Sequence, residues 1–317
     1  MFSDSKYVKP REKQEKNKLG LTPETEGVIC AILSGILFGT MPLMAKSAYA
    51  LGSNAYTVAF GRFFTGALVS GLVLLMRYGT IFKIVAKQLA KVAVLSIFFS
   101  AMPCMLYGSY RYIDSGLATT LHFTYPIIVM LISVFVFRAK FSRTGMICLF
   151  MCVAGILCLC NSEGNMDSRG MLLAAGSGVV YAVYISGIDR SGLKELPVMV
   201  IIFWLSLFSA AEILLFSFPQ HQLLFALPWQ VWISYTGLGL VAMVIAASLF
   251  QIGIMKCGGV KSSMLSTVEP VTGVLIGALI FQEKITVKSA IGIILILLSV
   301  LFLTLSDDKN SFLCVKS

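Results

Sequence analysis

Residues 117–141, LATTLHFTYPIIVMLISVFVFRAKF, and residues 261–285, KSSMLSTVEPVTGVLIGALIFQEKI, are two versions of one segment. At an offset of 144 the pairs Leu121/Leu265, Pro126/Pro270, Leu131/Leu275, Ile132/Ile276, Phe137/Phe281 and Lys140/Lys284 are identical. Near the start of each half the offset is 143, which aligns Ser34-Gly35 with Ser177-Gly178 and Phe60 with Phe203. Leucine-rich helices match by chance, but a proline with its flanking pattern is harder to dismiss. The chain reads as a duplication.

The composition says what was duplicated. Of 317 residues, 57% are hydrophobic and 13% charged, with a mean hydropathy of +0.88. Soluble domains carry about 45–50% apolar and about 25% charged residues. A soluble globule of this length lacks the polar surface it would need, which excludes a water-soluble enzyme, a disordered chain and a nucleic-acid-binding module. Residues 27–45, 92–110, 115–137, 144–162, 170–188 and 289–306 contain no Asp, Glu, Lys or Arg. Residues 47–76 contain only Arg62, and 262–282 only Glu269. The run from Leu196 to Met255 holds a single charge, Glu212, and is divided between Pro219 and Pro228. A span needs about 20 apolar residues. The expected fold is all-α: a polytopic membrane protein of ten transmembrane helices.

The charge of +10 sets orientation rather than nucleic-acid binding. With the amino terminus inside, 19 of the 25 Lys and Arg fall in cytoplasmic segments and five outside, namely Lys46, Arg111, Arg169, Lys284 and Lys288. That split obeys the positive-inside rule. Residues 1–26 lack a signal peptide's apolar core and cleavage site, and read as a retained cytoplasmic tail. The expected location is the bacterial cytoplasmic membrane, multi-pass, with both termini in the cytoplasm. The eight cysteines lie mostly in apolar runs with no CxxC pair. They read as small hydrophobes, so no metal and no cofactor is expected.

Parity then fixes the arrangement. A repeat of five helices is odd, so the second copy sits upside down. The expected parts are a polar tail (1–26), a first five-helix repeat (27–163), a second (164–306) and a short tail (307–317). Two inverted repeats around a midplane site are an architecture of secondary transporters.

The run Glu269-Pro270-Val271, Glu283 in the following loop and the Gly/Leu-rich helix beyond it resemble the EamA repeat of the drug/metabolite transporter superfamily. Arg62 in helix 2 and Ser115-Gly116-Leu117-Ala118 opening helix 4 are similar to that family as well. The resemblance spans roughly residues 27–306. It implies a ten-helix secondary carrier with a central cavity, usually exporting amino acids or other small metabolites. The first repeat departs from the pattern: Tyr125 replaces the glutamate before the proline, and Ala139 the loop glutamate.

Ionisable residues inside a bilayer are costly. Glu269 lies about eight residues, roughly 12 Å, into helix 9. Pro270 frees a carbonyl one turn earlier, so a carboxylate and carbonyls together suit a cation, an amino group or a proton. A protonated glutamate bonded to a neighbouring helix is the structural alternative. Arg62 could hold a substrate carboxylate bidentately, or snorkel to the surface. His122 could shuttle a proton or simply pack. Glu212 reads as facing the interface and stays outside the site. Tyr107, Tyr110, Tyr112, Tyr125, Tyr181, Tyr184 and Trp204 offer rings of which several could line a cavity, with core packing or the interfacial belt as the alternative; Tyr107, Tyr125, Tyr184 and Trp204 enter the expected site. Gln251 completes the expected substrate-binding set. Gly273 and Gly277 form a GxxxG that serves packing within the chain or a homodimer.

A carrier moving small molecules by alternating access is the leading reading, with proton coupling through Glu269 and His122. There is no phosphate loop for ATP. A membrane-embedded enzyme on a small polar or lipid-linked substrate, or a channel, is the competing class. The two histidines are 99 residues apart, which gives an enzyme little to work with. The chain is therefore expected not to be an enzyme.

Overall fold

The computed structural model describes residues 22–78, 84–113, 115–139, 143–159, 167–219, 221–280 and 286–305. The tails 1–21 and 306–317, and Lys140, Glu283 and Lys284, lie outside the described residues. Lipid offers the backbone no hydrogen bonds, so apolar runs must bond within themselves as helices. Among the described residues, nine helical runs are long and apolar enough to cross a membrane: Pro23–Ala50, Ala55–Arg77, Ala86–Ser109, Leu117–Phe135, Ser168–Arg190, Val198–Ser217, Trp229–Cys257, Gly259–Ile280 and Val287–Leu305. A shorter apolar helix, Arg143–Cys158, makes the tenth. No strand occurs among the described residues.

Several runs are interrupted. The first is α1 (Pro23–Phe38) and α2 (Met41–Ala50); the second and third are α3 (Ala55–Tyr78) and α4 (Ala86–Ser109). The fourth is α5 (Ser115–His122) and α6 (Tyr125–Phe135), followed by α7 (Arg143–Leu159), α8 (Ser168–Arg190) and α9 (Val198–Ser217). The eighth is α10 (Trp229–Gly237), a π-helical stretch Leu238–Ala246, and α11 (Ala247–Cys257). The ninth is α12 (Gly259–Leu265) and α13 (Val268–Ile280), and the last is α14 (Val287–Leu305).

The breaks in the first, fourth and ninth runs have one cause. A proline inside a helix conflicts with the carbonyl four residues before it and kinks or breaks the run, although α4 carries Pro103 without a break. Pro42, Pro126 and Pro270 stand four residues after Phe38, His122 and Ser266, where α1, α5 and α12 stop. At each break a threonine hydroxyl donates to a carbonyl three residues back: Thr40 to Leu37 (2.7 Å), Thr124 to Leu121 (2.7 Å) and Thr267 to Met264 (2.6 Å). The wide turns of the π stretch are held at both ends by side chains. Thr65 donates to the Tyr235 carbonyl at 2.7 Å, and Ser34 to that of Ala246 at 2.8 Å.

The helix pairing has the symmetry of two equivalent halves. Exchange of the repeats turns α8 against α4 into α1 against α11, and both pairs are extensively packed. The α3–α9 and α7–α14 pairs map onto themselves. Small residues permit the close approaches that membrane packing relies on. A Cβ on Gly155 of α7 would lie 2.9 Å from the Gly292 carbonyl of α14. One on Gly239 would lie 2.7 Å from the Gly66 backbone nitrogen.

Several lysines expected in loops lie within helices, among them Lys87 and Lys91 in α4, Lys256 in α11 and Lys288 in α14. Lys46 lies within α2, because the helix restarts at Met41-Pro42. Lys261 lies within α12, 5% exposed, and its ammonium meets Glu24 at 2.8 Å. Beside it Lys256 pairs with Glu26 at 2.5 Å. Cys148 and Cys152 are buried, and Cys152 Sγ lies 3.1 Å from Ser299 Oγ.

Candidate functional site

The three proline breaks converge. A Cβ on Gly35 of α1 would lie 3.0 Å from the Ser266 carbonyl, and one on Gly39 would lie 2.7 Å from that of Glu269. Across the pseudosymmetry, a Cβ on Gly178 of α8 would lie 2.7 Å from the His122 carbonyl. The Ser-Gly pairs that the repeat register aligns therefore sit against the freed ends of α12 and α5. Each pair comes from the opposite half, so the two repeats interlock at the breaks.

Around the breaks runs one chain of rings. Arg62 of α3 is 2% exposed, its guanidinium carbon 4.9 Å from the Phe63 centroid and 5.9 Å from that of Phe99. Phe99 meets Tyr184 at 4.6 Å, Tyr184 stacks on Tyr181 at 6.0 Å, and Tyr181 meets Tyr125 edge-on at 4.9 Å. His122 lies 5.4 Å from Tyr125 and 5.7 Å from Tyr181. The Tyr184 hydroxyl donates to Gln251 Oε1 at 3.2 Å. Glu269 lies at the start of α13, within electrostatic reach of Arg62, Tyr107, Tyr125 and Tyr181. Arg62 also reaches the Tyr107 side chain.

Seven of the eight expected residues thus share one cluster. Trp204 stands apart on α9, against Phe203 (5.3 Å) and Phe208 (5.7 Å). The sequence offers Tyr181 among the candidate rings but not in the expected site set, although its ring connects the others. It does not offer Phe99, which spaces Arg62 from Tyr184.

The polar atoms are unevenly satisfied. His122 Nδ1 lies 2.9 Å from Ser177 Oγ, whose own proton goes to the Ala174 carbonyl at 2.6 Å. Nδ1 therefore donates, leaving Nε2 as an acceptor. Tyr125 donates to Ser266 Oγ at 2.5 Å, since Ser266 donates to the Ser263 carbonyl at 2.9 Å. By contrast, Arg62 Nε, Gln251 Nε2 and Trp204 Nε1 are buried without a partner among the described residues. Buried donors left unmade cost about 1–3 kcal/mol each. Arg62 and Glu269 form no ion pair among the described residues; the Arg62 Nη1 contact is the Met41 sulfur, at 3.9 Å. A cation, a carboxyl group and unpaired donors in one aromatic interior can hold a small polar ligand.

The pattern of the EamA-like transporter family matches residues 25–160 and 168–305, once in each half. The chain belongs to the EamA-like transporter family. An uncharacterized transporter of Methanothermobacter thermautotrophicus (strain ATCC 29096 / DSM 1053 / JCM 10044 / NBRC 100330 / Delta H) is 35% identical over 74 residues, 23% of this chain and 22% of that protein. The match spans about a fifth of that relative's length. A protein of known crystal structure has the same fold, with a TM-score of 0.72 at 20% identity, covering 88% of this chain and 95% of that one.

This EamA-like transporter is thus a multi-pass membrane protein of a transporter family. One finding corrects its charge map. Glu212 turns toward α4 rather than the interface, accepting from Ser96 at 2.5 Å and Ser100 at 2.6 Å. The serines at a one-turn spacing were the available signal, and only the packing of α4 on α9 reveals them.

Proposed function

We propose that this protein exports amino acids or similarly small zwitterionic metabolites by alternating access around the Arg62–Glu269 cluster. The observation that carries the reading is that a buried guanidinium with an unpartnered Nε shares one interior with a carboxyl group it does not pair with. A substrate carboxylate suits Arg62, whose planar fork binds it bidentately. An ammonium group suits Glu269, beside the carbonyls freed by Pro270. Tyr107, Tyr125, Tyr184 and Gln251 orient the body of the ligand, and Trp204 lines an outlying wall.

The two five-helix halves, residues 27–163 and 164–306, rock against each other in this reading. Both termini face the cytoplasm, which puts the Lys261–Glu24 and Lys256–Glu26 pairs on the cytoplasmic side; the membrane is the bacterial plasma membrane. Proton movement through Glu269 and His122 drives export. The open face of Gly273, where an added Cβ would meet nothing within 4 Å, suits a cavity wall more than a dimer seam.

The test is counterflow in proteoliposomes preloaded with single amino acids. Saturable exchange of a labelled amino acid, with proton movement in a pH-dye trace, supports the reading. Non-saturating flux points to a channel and rejects it.

A further inference from the structure

The halves are equivalent in the main pairs of their scaffold and unequal where α12 packs: α12 meets α8 and α6 without comparable packing of α5 on α1 or α13. Gly35 on Ser266 and Gly178 on His122 are repeat-related contacts, and both are made. The α6–α12 packing, by contrast, has no comparable counterpart between α5 and α13, which occupy the repeat-related positions. At the centre of the closed pair the Tyr125 hydroxyl bonds Ser266 Oγ. In the repeat register Tyr125 becomes Glu269 and Ser266 becomes His122. The symmetry therefore maps an existing Tyr–Ser contact onto a Glu–His contact that is not made here.

We infer that Glu269 and His122 form the latch of the opposite-facing state, closing α13 on α5 when α6 and α12 part. This rests on the alternating-access reading and names the residues that hold each end point. Two equivalent halves exchange conformations when such a carrier turns over, so a contact in one state dictates its mate in the other. The chemistry suits the exchange. His122 Nδ1 is committed to Ser177, which fixes the ring and leaves Nε2 to accept. The Glu269 carboxyl donates its O–H to Nε2, or passes that proton to it; one proton is shared and no charge is gained or lost. Arg62, Tyr107, Tyr110, Tyr125 and Tyr181 are the other ionisable groups around this pair. Occupation of Glu269 by a ligand ammonium competes with the latch, so substrate and closure compete for one carboxyl group.

Spin labels on Leu117 of α5 and Ile280 of α13, in a background freed of native cysteines, report this gap by pulsed dipolar spectroscopy in nanodiscs. The unaltered protein is expected to show a long and a short distance. His122→Phe keeps a ring and removes the acceptor, and should deplete the short distance about tenfold, the weight of one charge-assisted hydrogen bond. Tyr125→Phe removes only the Ser266 contact and should enrich the short distance. Opposite shifts from two conservative variants cannot come from general loosening. Two distances whose ratio neither variant changes, or which both shift the same way, overturn the latch while leaving alternating access intact. A single distance in the unaltered protein under all conditions overturns the two-state reading, and the latch with it.

Discussion

Gly178 stands against the main-chain carbonyl of His122, so close that a Cβ would lie 2.7 Å from the oxygen. The oxygen belongs to the end of α5 and is freed by Pro126, so it has no helix of its own to retreat into. Ala at this position gains up to about 1 kcal/mol of helix propensity. It loses about 1–3 kcal/mol to overpacking, because backbone cannot rotate away. The clash wins. Gly178→Ala should lower the thermal midpoint of the detergent-solubilised protein, whereas Gly273→Ala, which adds its methyl to open space, should leave it unchanged or slightly raised.

Glu269 and Glu212 are both acidic residues of membrane helices, yet their surroundings differ. Glu212 accepts from two serines, while Glu269 faces the ring cluster and Arg62 without an ion pair among the described residues. Glu269→Gln should reduce transport at least tenfold, on the scale of a lost charge-assisted contact of about 1.5–3 kcal/mol. Glu212→Gln should reduce it far less. Counterflow on the two variants at equal reconstituted amounts decides; equal losses remove Glu269 from the substrate site.

The Glu212 triad should instead show itself in stability. Each serine hydroxyl that bonds a carboxylate contributes about 1.5–3 kcal/mol, and removal leaves the acceptor under-satisfied. Ser96→Ala and Ser100→Ala are each expected to lower the melting temperature. In a Glu212→Leu background neither change should matter, since contacting residues are non-additive. Additive losses would show that the serines act through packing alone.

Much of the fold is legible because it rests on covalent identity. Pro126 and Pro270 mark the breaks α5–α6 and α12–α13, though Pro103 sits in an unbroken α4, and charge-free runs leave lipid no alternative to helix. Lys261 falls inside a helix rather than in the loop expected of it because a charge marks a helix end only when nothing inside satisfies it, and Glu24 satisfies Lys261. The site is half legible. Charges such as Arg62 and Glu269 stand out against apolar sequence, and Tyr181 stands out as a candidate ring, but Phe99 is one apolar residue among many in membrane-crossing runs apolar on most faces. Such helices carry no periodicity to say which side turns inward.

The Lys261–Glu24 pair is unevenly buried: the lysine side chain is 6% exposed and the glutamate 57%. That unevenness dictates an order of effects. Removing Glu24 leaves a buried ammonium without its carboxylate, and breaking such a pair costs about 3–5 kcal/mol when the remaining charge is fully buried. Glu24 is half in water, so the cost here falls below that range. Removing the lysine as Lys261→Met deletes the buried charge and leaves the glutamate to solvent. Glu24→Ala should therefore lower the thermal midpoint more than Lys261→Met does, and Lys261→Met should largely cancel the loss when added to Glu24→Ala. Melting curves of the two single variants and the double variant in one detergent test this. A reversed order would mean that Lys261 draws its stability from some partner other than Glu24.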